Sequence, residues 1–127
     1  MIAQSNIALA TYSKRGDING IKLAIADGAD INGFSEKSKA TPLMQAASNG
    51  HMEAIKYLCS IGADPIIKDA FGALAVEYAG MCGYPDIVIY FITIYPEVAN
   101  CIKYRKEFIR AYFENEEQAL SNINGYI

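Results

Sequence analysis

The segment Gly16-Asp17-Ile18-Asn19-Gly20-Ile21-Lys22 returns as Gly50-His51-Met52-Glu53-Ala54-Ile55-Lys56, and again as Gly83-Tyr84-Pro85-Asp86-Ile87-Val88-Ile89. The leading glycines are spaced by 34 and then 33 residues. A second marker, Gly28-Ala29-Asp30, recurs as Gly62-Ala63-Asp64 at a spacing of 34. Two separate markers with one period define a repeat array, in which each unit buries its apolar face only against its neighbours.

Each unit reads as helix, tight turn, helix and extended finger. In the middle unit Thr41 is a natural N-cap, its hydroxyl placed to accept from free first-turn amides. Pro42 suits the first helical position, where the missing N–H costs nothing. Leu43, Ala46 and Ala47 give a narrow inner face that lets neighbouring helices approach closely. Gly50 supplies the left-handed residue after this helix. Ile55, Leu58 and Cys59 then fall at the i, i+3, i+4 spacing of one buried stripe. Gly62 ends the second helix, and residues 63–73, with Pro65 and Gly72, form the extended connection. The first finger holds one extra residue around Gly33-Phe34-Ser35, which accounts for the spacing of 34.

The run Thr41-Pro42-Leu43-Met44-Gln45-Ala46-Ala47-Ser48-Asn49-Gly50-His51, continuing to Gly62-Ala63-Asp64, resembles the ankyrin repeat, as does Gly28-Ala29-Asp30-Ile31-Asn32 in the first unit. The resemblance implies an all-α, ankyrin-repeat helical solenoid of helix-turn-helix units joined by extended fingers. Residues 1–127 then form one domain, with repeats at about 5–35, 36–68 and 69–101 and a degenerate capping repeat at about 102–127. The third unit departs from the pattern: Leu74-Ala75-Val76 stands where Thr-Pro-Leu belongs, and Tyr95-Pro96-Glu97-Val98 replaces the Gly-Ala-Asp segment. The family's histidine after Thr-Pro-Leu, which ties adjacent repeats together, is Met44 here. That change predicts fewer hydrogen bonds between repeats and more reliance on apolar packing.

Composition removes several function classes. The apolar fraction of 52% and charged fraction of 20% argue against disorder. A net charge of -3 lacks the basic excess that nucleic-acid binding needs. No secretory signal is visible between Met1 and Gly16, and the longest apolar stretch, Ile87 to Tyr95, is too short to span a bilayer. Three cysteines, an odd number without an export signal, predict reduced thiols and a cytoplasmic location.

Candidate chemistry is sparse. His51, the only histidine, is a possible base or ligand by type, but it begins an outer helix where the family often carries histidine for local hydrogen bonding. Cys59, Cys82 and Cys101 form no Cys-x-x-Cys pair, and a thiol hydrolase using Cys82 or Cys101 with His51 lacks the spacing a nucleophile and its base require. Gly16 to Gly20 has neither the preceding strand nor the Gly-Lys-Ser/Thr ending of a phosphate loop. The acids at Glu114 to Glu117 complement a helix start on a solvated face. No catalytic residue, metal site or cofactor is expected.

What the resemblance implies is a protein partner, gripped on the concave surface of fingertips and inner-helix ends. The first unit contributes Lys14 and Arg15 there. The second contributes Phe34, Lys37, Ser38, Ser48 and Asn49. The third contributes Lys68, Phe71 and Met81, and the tail adds Lys103 and Arg105. Phe34 and Phe71, read as adjacent fingertips, are the expected anchors, and the basic residues suit a target with an acidic patch. The expected function is a small adaptor or a stoichiometric inhibitor of the immunity type, monomeric or weakly dimeric. The alternative is self-association through the outer helix around Ile87 to Ile92, which is apolar on every side and so is covered either by the tail folding over it or by another chain.

Overall fold

The computed structural model describes residues 3–102. Three helical hairpins stand side by side: α1 (Gln4–Arg15) with α2 (Ile18–Ala26), α3 (Pro42–Ser48) with α4 (Met52–Ser60), and α5 (Ala75–Met81) with α6 (Pro85–Ile94). A single turn, α7 (Val98–Cys101), follows, and no strand occurs among the described residues. The inner helices α1, α3 and α5 pack in succession, which makes the array an all-α solenoid. The expected capping repeat lies outside the described residues from position 103 onward.

Each hairpin turns where its glycine permits. Gly16, Gly50 and Gly83 take φ of 70°, 77° and 84° after the inner helices, the left-handed region closed to most side chains. Their spacing is therefore a backbone requirement repeated three times.

The inner helices start in different ways. Thr41 Oγ1 accepts the Met44 N–H at 3.3 Å, and Met44 Sδ accepts the Thr41 N–H at 3.4 Å. The methionine that replaces the family's histidine thus closes a capping box from within its own helix. Leu74, at the corresponding position in the third unit, has no hydroxyl and is fully buried. There the cap comes from Glu77, whose Oε1 accepts the Leu74 N–H at 3.1 Å.

The core is one continuous apolar layer. Leu9, Ile21, Leu43, Ile55, Leu58, Val76, Ile87 and Phe91 are all buried in it. Ala46, Ala47 and Ala79 are fully buried on inner helices α3 and α5, which pack on each other. In α4 the fully buried residues are Ala54, Ile55 and Leu58, and Cys59, half-buried, packs against the core at the edge of that stripe.

Hydrogen bonds nevertheless tie the first two units together. Asn32 Oδ1 accepts the Asp64 N–H at 2.8 Å, and its Nδ2 donates to Gly62 O at 3.3 Å. Within the first repeat, Asn6 Oδ1 likewise accepts the Asp30 N–H at 2.9 Å. His51 Nε2 donates to Lys14 O at 2.9 Å, so the histidine ties two units together where a local bond was expected. The asparagine tie has no counterpart in the third unit, because Ile66, which follows Asp64 as Asn32 follows Asp30, has no polar side-chain atom to offer.

Candidate protein-binding surface

The period of the array arranges the inner-helix ends in rows. Lys14, Ser48 and Met81 hold corresponding positions on α1, α3 and α5, and Arg15, Asn49 and Cys82 form the next row. Lys14 and Arg15 are exposed, and Met81 is 68% exposed, far more than a thioether in a core. Ser48 and Asn49 are less available. Both are half-buried, and Ser48 Oγ and Asn49 Nδ2 donate to Gln45 O at 3.2 and 2.8 Å. Their side chains close the end of α3.

The fingers share one turn but differ in how it is held. Lys39 N–H donates to Glu36 O, and Gly72 N–H to Asp69 O, each at 3.1 Å. Lys39 therefore stands where the next finger has glycine, and it takes φ of 60°. The stretch from Gly28 to Glu36 is one residue longer than that from Gly62 to Asp69, so the predicted insertion is present. Ala70 N–H donates to Ser38 O at 2.8 Å and links the two fingers edge to edge.

This register corrects the reading of two adjacent aromatic fingertips. Phe71 lies within its turn and corresponds to Ser38, whereas Phe34 lies two residues ahead of the first turn. Phe34 is 40% exposed and Phe71 is 79% exposed. A ring left that open has not folded back onto its own finger.

Asp69 fixes the second finger. It is buried, and its Oδ1 accepts the N–H groups of Phe71 and Ala73, each at 2.9 Å. The Tyr78 hydroxyl donates to its other oxygen. Partial burial, and then this bond and the charge behind it, push the Tyr78 hydroxyl up to about 12. The first finger has Glu36 and Gln45 at the places of Asp69 and Tyr78, and neither side chain makes a comparable bond among the described residues. Sequence reading passed over Asp69. Its signal was an aspartate three residues before a glycine, the pattern of a turn closed by a side-chain oxygen.

Lys37 and Lys68 are exposed on the finger side, and Ser38 is half-buried. Lys103 and Arg105 lie outside the described residues. Burial pushes the Cys59 thiol up, with the Tyr95 hydroxyl opposing the shift, and a raised thiol is a poor nucleophile at neutral pH. Cys82 is exposed and Cys101 half-buried. No group of three or more His, Cys, Asp or Glu residues among the described ones is gathered for a metal ion. No described helix is long and apolar enough to cross a membrane.

Comparisons with known proteins match this geometry. The model for "Ankyrin repeats (3 copies)" covers residues 7–101. The chain is 37% identical over 76 residues to "Ankyrin repeat domain-containing protein oryK" of Aspergillus oryzae, covering 60% of this chain and 12% of that protein. It is 35% identical over 68 residues to "Palmitoyltransferase Hip14" of Drosophila melanogaster, covering 54% of this chain and 10% of that one. With "Notch-regulated ankyrin repeat-containing protein B" of Danio rerio it shares 34% identity over 64 residues, 50% of this chain and 57% of that protein. The chain spans an eighth or less of the first two of these relatives and just over half of the third. Three helical hairpins, three left-handed glycines at one period and a family match over most of the chain give one conclusion: this protein belongs to the ankyrin-repeat family.

Proposed function

We propose that the chain is a non-catalytic module that grips one protein partner through its concave face, as a small adaptor or a stoichiometric inhibitor of the immunity type. Ankyrin repeats generally mediate protein–protein interaction, although some relatives, the palmitoyltransferase among them, carry such repeats beside an enzyme. The observation that carries the reading is Phe71: a large ring 79% exposed, at the tip of a finger held by a buried carboxylate. Covering such a ring is worth about 2 kcal/mol, and a pre-ordered finger loses little entropy on binding.

Charge supports a partner with an acidic patch. Lys14, Arg15, Lys37, Lys39 and Lys68 are exposed on this side, and none forms an ion pair with a described residue. The one described ion pair, Lys56 with Glu53 at 3.7 Å, lies on outer helix α4. Three free cysteines fit a reducing, cytoplasmic setting. The test is affinity capture from the native cell, with wild type and a folded Phe34→Ala/Phe71→Ala variant as bait. One stoichiometric protein held by the wild type and lost by the variant is the expected result. Equal retention by both would move the interface elsewhere.

A second reading rests on the outer helix α6, where Ile89 and Ile94 stay exposed although Ile87, Val88, Phe91 and Ile92 are buried. Self-association through that face would appear as concentration-dependent mass in sedimentation velocity. A constant monomer mass from micromolar to millimolar protein would dismiss it.

A further inference from the structure

The elbow between the first finger and the inner helices holds a hollow of about 200 Å³, with Ile7, Ala10, Thr11 and Lys14 on one side and Ser35, Glu36 and Gln45 on the other. We infer that this hollow is the anchor subsite for an extended acidic peptide segment of the partner, taking one aliphatic side chain with a carboxylate beside it. The inference rests on the concave-face reading and names the chemistry that face selects.

Its floor is apolar. Ile7 is 39% exposed on α1, and Ala10 below it is buried, so an entering methyl-bearing side chain meets carbon. Thr11 adds no competing donor, because its hydroxyl already donates to Ile7 O at 3.0 Å. The rim is polar and uncommitted. Gln45 and Lys14 make no side-chain hydrogen bond or ion pair with a described residue. A carboxamide offers one acceptor and two donors, which matches the alternating C=O and N–H of an extended backbone. An exposed ammonium at the rim matches a carboxylate next to the anchor, and Arg15 and Lys37, exposed and next in sequence to the lining residues Lys14 and Glu36, add positive charge. Glu36, on the opposite wall, disfavours a second acid there and can accept a peptide N–H. An aliphatic anchor with an acidic neighbour satisfies the floor and the Lys14 rim together.

The experiment is a proton–nitrogen NMR titration of the full chain with a defined probe, the capped peptide Gly-Ser-Ser-Leu-Asp-Ser-Gly. Two control peptides carry Ala for the Leu, or Lys for the Asp. Expected are saturable shifts centred on the amides of Thr11, Lys14, Glu36 and Gln45, with each control binding at least ~5-fold more weakly, since a half-open site recovers part of a leucine's burial energy. Ile7→Lys and Lys14→Glu should each weaken the probe by a similar factor, with the rest of the spectrum retained. Shifts confined to the Phe71 finger would overturn the subsite while leaving the concave-face reading standing. No saturable shift anywhere, or three peptides of equal affinity, would also overturn it, and partner capture then tests the broader reading separately.

Discussion

The side chain of Asn32 bridges two repeats, accepting the Asp64 N–H at 2.8 Å while donating to Gly62 O at 3.3 Å. One carboxamide thus satisfies both edges of the next unit's closing loop. Asn32→Ala leaves those two groups without their partners at a repeat boundary, a loss of about 1–2 kcal/mol. Thermal unfolding should fall by roughly 4 °C or more, and an unchanged midpoint would show that the bridge contributes nothing.

A second tie is testable as a coupling. A Cβ added to Gly16 would lie 2.6 Å from His51 Nδ1, at a residue whose φ is 70°. Gly16→Ala should therefore cost more than the roughly 1 kcal/mol of the left-handed backbone alone. In a His51→Ala background the clash disappears and only the backbone term remains. A double-mutant cycle without coupling would contradict the packing of His51 on this turn.

Lys39 holds the left-handed turn position that Gly72 fills in the next finger, with φ of 60° against 81°. Lys39→Gly should stabilise the protein by about 0.5–1 kcal/mol, and Gly72→Lys should do the reverse. Chemical denaturation of both variants checks the pair, because equal signs would break the predicted correspondence of the fingers.

Ser13 lies where the next unit has Ala47, and its Oγ is fully buried with no hydrogen-bond partner. Ser13→Ala removes an unmatched hydroxyl from the contact between α1 and α3. Stability should rise by about 1 kcal/mol in urea denaturation. A fall of that size would mean the hydroxyl is satisfied.

The Tyr78 hydroxyl, raised to about 12 from an ordinary 10, links stability to alkaline pH. The folded state holds the phenolic proton more tightly than the unfolded state, so its contribution is complete below pH 10 and is lost as pH rises towards 12. Tyr78→Phe should flatten the decline in stability between pH 10 and 12 without abolishing it, because Tyr95 is also raised to about 12. Denaturation curves at several pH values compare the slopes, and identical slopes would remove Tyr78 from the linkage.

The hairpins and their turns were legible because glycines at 16, 50 and 83 meet a backbone requirement that recurs at a fixed spacing. The caps were partly legible: Thr41 reads as one directly, whereas the roles of Met44 and Glu77 depend on where a flexible side chain returns. The finger register was not legible because the same turn is marked by Asp69 and Gly72 in one finger but built from Glu36 and Lys39, which carry no turn signal, in the other. The elbow hollow had no signal in sequence. It forms only when Ile7 on one wall is brought to face Glu36 and Gln45 on the other by stacking.

The most direct test of a concave-face module is hydrogen–deuterium exchange of the chain alone and with its captured partner. Slowed exchange confined to the fingers around 35–39 and 68–73 and to the ends of α1, α3 and α5, with outer helices α2, α4 and α6 unchanged, is the predicted result. Protection concentrated on α6 with the fingers unaffected would contradict the account.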